Sequence, residues 1–248
     1  MHQAKSLTRI YFPGEVAAHG VCEIAAEQAH HMSRVLRLQA GDAVTLFDGR
    51  GAECPAVIIA MTRGAVRLQV ADWRAVDRES PVPVTLAQGI SSGERMDYTV
   101  QKAVELGAMR IQPLSTERSV VRLDAERAAK RVAHWQAIVV AACAQCGRNR
   151  VPVVAPVISL PAWLATAATS AERRIMLSPD GARTLHELER PAQGVFLLCG
   201  PEGGLAPSER RDAGRAGFEA LRLGPRVLRT ETAAMAALAA MQVLWGDF

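Results

Sequence analysis

The sequence predicts an α/β protein in which a small β-rich N-terminal domain precedes an α/β domain with a parallel sheet. Short apolar runs separated by turn residues fill residues 8–72, a spacing that is typical of a small barrel or sandwich. From residue 84 onward, strand-like runs alternate with helix-like patterns, which favours a parallel sheet covered by helices on both faces. We therefore expect domains over 1–74 and 84–248, joined by a charged, proline-containing linker over 75–83.

The N-terminal domain is predicted from short strands and one helix. Strands are expected at residues 10–12, 43–47, 56–59 and 66–70, because each apolar run is bounded by glycine or aspartate turn residues. A short helix is expected at about residues 25–36. This spacing of strands and turns fits a small barrel or sandwich of roughly 70 residues.

The C-terminal domain is predicted from five strands and five helices in alternation. The expected strands are 84–90, 109–114, 174–177, 195–199 and 220–223, and the expected helices are 95–106, 124–144, 160–168, 207–216 and 231–244. Open α/β sheets bind ligands outside the carboxyl ends of their strands. The strand-to-helix junctions are therefore the places to look for a site.

Two of these junctions contain glycine. Residues 197–205 read Leu-Leu-Cys-Gly-Pro-Glu-Gly-Gly-Leu, and residues 223–233 read Leu-Gly-Pro-Arg-Val-Leu-Arg-Thr-Glu-Thr-Ala. Glycine permits positive φ and lets a ligand approach the main chain. Neither segment has a dinucleotide or P-loop spacing, and Glu202 would repel a phosphate, so a polyphosphate ligand is disfavoured. We expect one pocket built from both loops; the alternative is a pair of ordinary strand-to-helix turns.

Arg229 stands immediately before the last predicted helix. Thr230 can cap that helix and Glu231 complements its dipole. A cation at a helix N-terminus is electrostatically unfavourable, so capping does not explain Arg229. We interpret Arg229 as a residue that contacts an anion of the substrate.

The excess of positive charge lies in the middle of the chain. The net charge is +4, and residues 110–150 hold 8 basic and 3 acidic side chains. Such clustering favours an anionic partner such as nucleic acid. The alternative for Arg148 and Arg150 is that they cap the C-terminus of the long helix before them.

Composition excludes several classes of protein. The apolar runs are too short to span a bilayer and no apolar signal core follows the N-terminus, so a cytoplasmic protein without membrane contact is expected. The 5 cysteines are odd in number and are not spaced as in a disulfide framework, which argues against a disulfide-stapled secreted fold. Cys143 and Cys146 form a C-x-x-C without a second pair, so no metal site is expected.

With these segments identified, the chain resembles the SPOUT superfamily and, within it, the RsmE family of 16S ribosomal RNA uridine-N3 methyltransferases. The resemblance spans nearly the whole chain. Its most specific parts are the Gly-Pro-Glu-Gly-Gly loop at 200–204 and the segment at 223–233. Shorter matches lie at residues 9–12, 31–38, 41–49, 101–107, 117–119 and 145–150.

The resemblance implies more than periodicity predicts. It implies an N-terminal PUA-like β-barrel that helps to bind RNA and a C-terminal SPOUT α/β domain whose last strands and helix form a trefoil knot. Periodicity alone would predict a Rossmann-like sheet, since knots are nearly absent from proteins. The resemblance also implies S-adenosylmethionine as cofactor, 16S rRNA or the assembled small ribosomal subunit as partner, and a homodimer with the site at its interface.

The resemblance further implies roles for individual residues. Arg229 is expected to steady the uridine anion or its phosphate, and Glu202 to act as the base or to contact the sulfonium. Cofactor contacts are expected at Leu177, Leu198, Cys199, Gly200, Gly203, Leu223, Gly224, Val227, Leu228 and Thr230. RNA phosphate contacts are expected at Arg9, Arg34, Arg37, Arg118, Arg122, Arg148 and Arg150.

Two other functions remain open at this point. One is an RNA-binding ribosome assembly factor that keeps the fold without catalysis. The other is a nucleotide-dependent oxidoreductase, which the missing fingerprint disfavours. The chain departs from the family pattern at Ala206, where members often have Ser or Thr before the proline; a lost cap costs about 1 kcal/mol.

Overall fold

The computed structural model describes residues 8–62 and 64–248. They form two compact units: one extends to Glu79 and also takes in Cys143–Val151, and the other comprises Ser80–Ala142 and Pro152–Phe248. Residues 1–7 of the expected N-terminal domain lie outside the described residues. The expected domain boundaries and the linker at 75–83 stay predictions.

The first unit is built on a mostly antiparallel sheet. Its elements are β1 (Thr8–Tyr11), β2 (Val21–Ala25), α1 (Ala26–Arg34), β3 (Ala43–Phe47), β4 (Ala52–Met61), β5 (Ala65–Val70) and β6 (Arg74–Ala75). The strand order is β1-β3-β4-β5-β2, and β6 pairs with β4. The pair β1–β3 is parallel and the other pairs are antiparallel. Alternate residues of β4 and β5 are buried, as expected for strands with one face on a core.

The second unit is an α/β unit. Its strands are β7 (Val84–Gly89), β8 (Ala108–Ser115), β9 (Val153–Val154), β10 (Ile158–Ser159), β11 (Arg173–Leu177), β12 (Val195–Cys199) and β13 (Glu219–Leu221). Its helices are α2 (Glu94–Glu105), α3 (Ala125–Cys146), α4 (Leu160–Ala167), α5 (Pro207–Arg215) and α6 (Thr230–Trp245), and α3 ends within the first unit. The predicted alternation of strands and helices is confirmed.

The sheet of the second unit is parallel throughout. Its order is β10-β8-β7-β12-β11-β13, with β9 also paired to β8. The loops that follow β7, β8, β11, β12 and β13 consequently emerge along the same edge. The apolar run Val195–Cys199 is mostly buried because β12 lies between β7 and β11. Within the described part of the chain, no helix is long and apolar enough to cross a membrane.

Candidate active site

A cavity of about 570 Å³ opens at the carboxyl edge of the parallel sheet. Its walls come from the loops after β11, β12 and β13 and from the start of α6. A volume of this size is typical of sites for small molecules and cofactors. The edge predicted to bind a ligand therefore carries a cavity able to hold one.

The two glycine-bearing segments meet at a single carbonyl group. The Thr230 hydroxyl donates to the Gly200 carbonyl over 2.6 Å, and the buried Gln88 amide donates to the same carbonyl over 3.1 Å. The Gln88 amide also donates to the Thr230 hydroxyl over 3.0 Å. These bonds fix the loop after β12 against the N-terminus of α6, so the two segments form two walls of one cavity.

The capping role predicted for Thr230 is wrong. Thr230 is the first residue of α6, and Arg229 occupies the N-cap position without a capping hydrogen bond from its side chain. The Thr230 hydroxyl is instead committed to the Gly200 carbonyl. The start of α6 is therefore held by the neighbouring loop.

Close approach of main chain explains two of the glycines. A Cβ on Gly200 would stand 2.8 Å from the nitrogen of Leu205, a distance that real Cβ atoms do not show. Gly224 has φ +74°, a left-handed conformation in which a side chain would be strained. These positions require glycine for the shape of the cavity.

Most of the residues expected to contact a cofactor line this cavity. The lining includes Leu177, Cys199, Gly200, Gly203, Leu223, Gly224, Val227, Leu228 and Thr230. Leu198, a residue of β12, does not line the cavity, because its side chain is fully buried in the hydrophobic core. Contact of any of these residues with a cofactor stays a prediction.

Sequence reasoning missed part of the wall. The loop after β11 contributes Ser178, Pro179 and Asp180, and α5 contributes Arg210, which donates to Asp180 over 3.0 Å. The turn residues that follow the run ending at Leu177 were the available signal, since this junction too lies at the carboxyl edge.

The wall after β13 offers main-chain groups without partners. In the described part of the chain, no main-chain hydrogen bond involves Leu223, Gly224, Val227 or Leu228. Cys199 adds a neutral group, because burial raises the pKa of its thiol. Uncommitted main-chain groups beside a neutral thiol fit the adenine and ribose of a nucleoside cofactor.

Glu202 is held by three donors from the loop after β7 and the start of α2. Its Oε1 accepts from the Ser92 N–H and hydroxyl, each over 2.8 Å, and from the Arg95 guanidinium over 3.0 Å. Partial burial raises the pKa of Glu202, but these bonds and one from its own N–H outweigh it and lower the pKa to about 2. A carboxylate this acidic is a weak proton acceptor, which argues against the base role predicted for Glu202.

Arg229 is exposed at the mouth of the cavity. Among residues 8–62 and 64–248, no hydrogen bond or ion pair is formed by its side chain, although four acidic side chains line the same region. A cation at a helix N-terminus with no internal partner is available to an external anion. The position agrees with the interpretation drawn from the sequence, and the role itself stays a prediction.

A second cavity lies between α2 and α6. Its lining consists of Glu94, Arg95, Tyr98, Leu106, Arg229, Glu231, Thr232, Met235, Ala236 and Ala239. Arg95, Arg229 and Glu231 also line the first cavity, so these three side chains mark the junction of the two.

Two of the arginines predicted to bind RNA are committed within the first unit. Arg148 is only 5% exposed and forms an ion pair with Glu79. Arg9 donates to Glu53 over 2.6 Å and also to the Asn149 side chain. Their burial and pairing argue against the RNA contacts predicted for both.

The other predicted arginines remain accessible. Arg34, Arg37 and Arg150 are exposed in the first unit. In the second unit, Arg118 donates to the Gly203 carbonyl and Arg122 to the Glu117 carbonyl, each over 3.0 Å, and both are exposed. Their contact with RNA stays a prediction.

Glu209 makes one of the two hydrogen bonds of a capping box at the start of α5, where Ala206 cannot make the other. Its carboxylate accepts from the Ala206 N–H over 2.8 Å and from the Glu117 N–H over 2.7 Å. The side chain thereby joins the start of α5 to the loop that carries Arg118. In the described residues, no group of three or more His, Cys, Asp or Glu side chains could hold a metal ion.

Comparison with known proteins gives consistent matches over both units. A family model described as RNA methyltransferase domain matches residues 78–242, and one described as RNA methyltransferase PUA domain matches residues 24–71. A curated relative from Buchnera aphidicola subsp. Acyrthosiphon pisum, named ribosomal RNA small subunit methyltransferase E, is 30% identical over 98% of this chain and 96% of its own.

Two solved structures resemble the chain along nearly its full length. Ribosomal RNA small subunit methyltransferase E from Neisseria gonorrhoeae, bound to S-adenosyl methionine, is 41% identical, with a TM-score of 0.91 over 98% of this chain and 99% of that one. A Legionella pneumophila protein in complex with SAM is 40% identical, with a TM-score of 0.93 over the same shares. The predicted PUA-like domain and SPOUT methyltransferase domain are confirmed, and the trefoil knot stays a prediction.

Proposed function

Because this chain belongs to the RsmE family of RNA methyltransferases, we propose that it transfers the methyl group of S-adenosylmethionine to N3 of a specific uridine in 16S rRNA. The observation that carries the proposal is the Gly200 carbonyl, which joins the two glycine-bearing segments into one cavity. The mouth of that cavity holds Arg229, a cation with no partner in the described residues.

The cavity suits the cofactor in size and in chemistry. Main-chain groups at Leu223, Val227 and Leu228 would hold the adenine and ribose, with the neutral Cys199 thiol in the same cavity wall. When bound, S-adenosylmethionine supplies an electrophilic methyl group on its sulfonium. The charge of Glu202 at the same wall is compensated by its ion pair with Arg95, so it does not by itself select a cationic ligand.

The protein contributes to methyl transfer mainly by positioning the uracil and by stabilising its negative charge. The two cavities meet at Arg229, so a uracil held in one would lie next to a cofactor held in the other. Removal of the N3 proton leaves negative charge on the uracil, and the Arg229 guanidinium stabilises it. The low pKa of Glu202 argues against this side chain as the acceptor of that proton.

RNA binds through phosphate contacts, and the target base leaves its stack to reach the cavity. Arg118 lines the cavity from the loop after β8, which also carries Arg122, and Arg34, Arg37 and Arg150 supply contacts from the first unit. The substrate is 16S rRNA, either free or in the assembled small subunit. A comparison of both in one methylation assay decides between them.

The chain works as a homodimer. Val243 is 66% exposed and Leu244 is 44% exposed near the end of α6, which supports a covered face on this helix. Sedimentation equilibrium tests this: a monomer at micromolar concentration would contradict it.

Two measurements test the function itself. Titration calorimetry should detect binding of S-adenosylmethionine, and labelled methyl groups should enter small subunits that lack the modification. Absence of cofactor binding at millimolar concentration would refute a methyltransferase. Cofactor and RNA binding without methyl incorporation would indicate an assembly factor that has lost catalysis.

A further inference from the structure

Arg95 lies at the junction of the two cavities and shares that place with Arg229. The two guanidinium groups differ in their surroundings. Arg229 has no partner among the described residues, whereas Arg95 donates to Glu202 over 3.0 Å. Arg95 nevertheless remains 48% exposed, and only one of its nitrogens is used in that bond. The remaining donors of Arg95 are available to a ligand at the junction.

Glu202, in the loop after β12, binds to residues of the loop after β7 and of the first turn of α2. One oxygen of its carboxylate accepts hydrogen bonds from Ser92, which lies between β7 and α2, and from Arg95 in the first turn of α2. A single side chain thus joins the loop after β12 to the loop after β7. The bond also sets the direction of a long, flexible arginine side chain that would otherwise be free to rotate.

We propose that Glu202 is a positioning residue, which holds the Arg95 guanidinium at the junction of the cavities so that Arg95 donates hydrogen bonds to the nucleotide being methylated. The inference rests on the proposed function and deepens it. It assigns substrate contact to Arg95, and it gives Glu202 a task other than accepting the N3 proton. The anionic state of Glu202 supports this, because an ionised carboxylate is the stronger acceptor for Arg95.

Substitution of Glu202 should separate turnover from binding. Glu202→Gln keeps an acceptor for Ser92 but leaves the positive charge of Arg95 uncompensated. We therefore expect the affinity for RNA to stay the same or increase, and kcat to fall by about tenfold to a hundredfold through lost alignment. Arg95→Ala should lower kcat by a similar factor without weakening cofactor binding. Arg215→Ala, an exposed arginine on α5 outside both cavities, is the control and should change none of these quantities.

A double-mutant cycle and a pH profile test the assignment. If Glu202 acts through Arg95, the double variant should be no slower than Arg95→Ala alone. If kcat of the double variant falls by the product of the two single losses, the inference is overturned. The acid limb of the kcat profile should survive in Glu202→Gln; its disappearance would show that Glu202 titrates in the reaction and would also overturn it.

Amide hydrogen exchange provides a readout that needs no turnover. With cofactor bound and RNA absent, Glu202→Ala should accelerate exchange at residues 91–95, because the Ser92 N–H loses its acceptor. Unchanged exchange would overturn the positioning role. Wild-type protein that transfers no methyl group to small subunits would refute the proposed function instead, and the exchange result would still decide whether Glu202 holds the loop after β7.

Discussion

At the scale of single residues, Arg229 carries the largest functional claim. It has no partner in the described part of the chain and stands at the N-cap of α6, where its charge destabilises the helix. An anionic group of a bound substrate would explain an arginine at this electrostatically unfavourable position. The anion proposed here is the uracil or its phosphate.

Removal of this guanidinium should affect turnover and spare the cofactor. Arg229→Ala is expected to lower kcat by about a hundredfold, the usual effect of losing one donor to a developing anion. The affinity for S-adenosylmethionine in calorimetry should stay close to that of the wild type. Arg215→Ala is the matched control, and unchanged kcat in Arg229→Ala would refute the role.

Arg148 and Arg150 lie two residues apart and are expected to do different work. Arg148 is buried against Glu79, so Arg148→Ala should lower the free energy of unfolding by about 3–5 kcal/mol, as measured by urea denaturation. Arg150 is exposed, so Arg150→Ala should leave stability unchanged and reduce the salt dependence of RNA binding by about one phosphate contact. The reverse pattern would contradict both assignments.

Glu53 should make stability depend on pH. Hydrogen bonds from Arg78 above all, and from Arg9 and Asn149, outweigh partial burial and lower the pKa of Glu53 to about 2. Because the pKa is lowered on folding, the stabilisation is complete above the ordinary value of 4.5 and is lost as pH falls from 4.5 towards 2. It amounts to about 3 kcal/mol.

The Glu53→Gln variant isolates this effect. Unfolding free energies of wild type and variant should differ most near neutral pH and converge as pH falls through that window. A difference that is constant between pH 5 and pH 2 would show that Glu53 does not titrate with a lowered pKa.

At the scale of elements, α5 begins with an incomplete cap. Ala206 has the extended N-cap conformation but no side-chain acceptor, while Glu209 accepts from its N–H. Ala206→Ser should therefore complete the capping box and raise the free energy of unfolding by about 0.5–1 kcal/mol. Thermal denaturation measures this. A lower melting temperature would mean that the buried site cannot take the added hydroxyl.

The elements that sequence predicted best are those with a continuous apolar run and a glycine stop. The strand at 195–199 was predicted with its observed bounds, because burial on both faces leaves an uninterrupted run. The strand β2 was missed, since Glu23 interrupts its five residues and its strand character comes from pairing with β5. The two-residue strands β9 and β10 carry no periodic signal at all.

The site was predictable where local chemistry decides it and not where distant partners do. Glycines and strand ends identified most of the cavity wall from sequence. The commitment of Arg9 to Glu53, 44 positions away, has no local signal, so Arg9 was predicted as an RNA contact. The same holds for the Thr230 hydroxyl, whose partner Gly200 lies 30 residues earlier.

At the scale of the whole molecule, we expect the first and the second unit to have different roles. The second unit contains both cavities, and the first contains exposed arginines beside a buried ion-pair cluster. RNA affinity should therefore depend on both units, whereas cofactor affinity should depend on the second alone. The trefoil knot rests on the family resemblance, whereas the predicted domain boundaries rest on the sequence pattern.

Nucleoside analysis tests the central claim most directly. Small subunits that lack the modification are incubated with the protein and S-adenosylmethionine, and their 16S rRNA is digested and analysed by mass spectrometry. The proposed function predicts N3-methyluridine in the treated subunits, none without the cofactor, and much less with Arg229→Ala. A different methylated nucleoside, or none in the presence of bound cofactor, would contradict it.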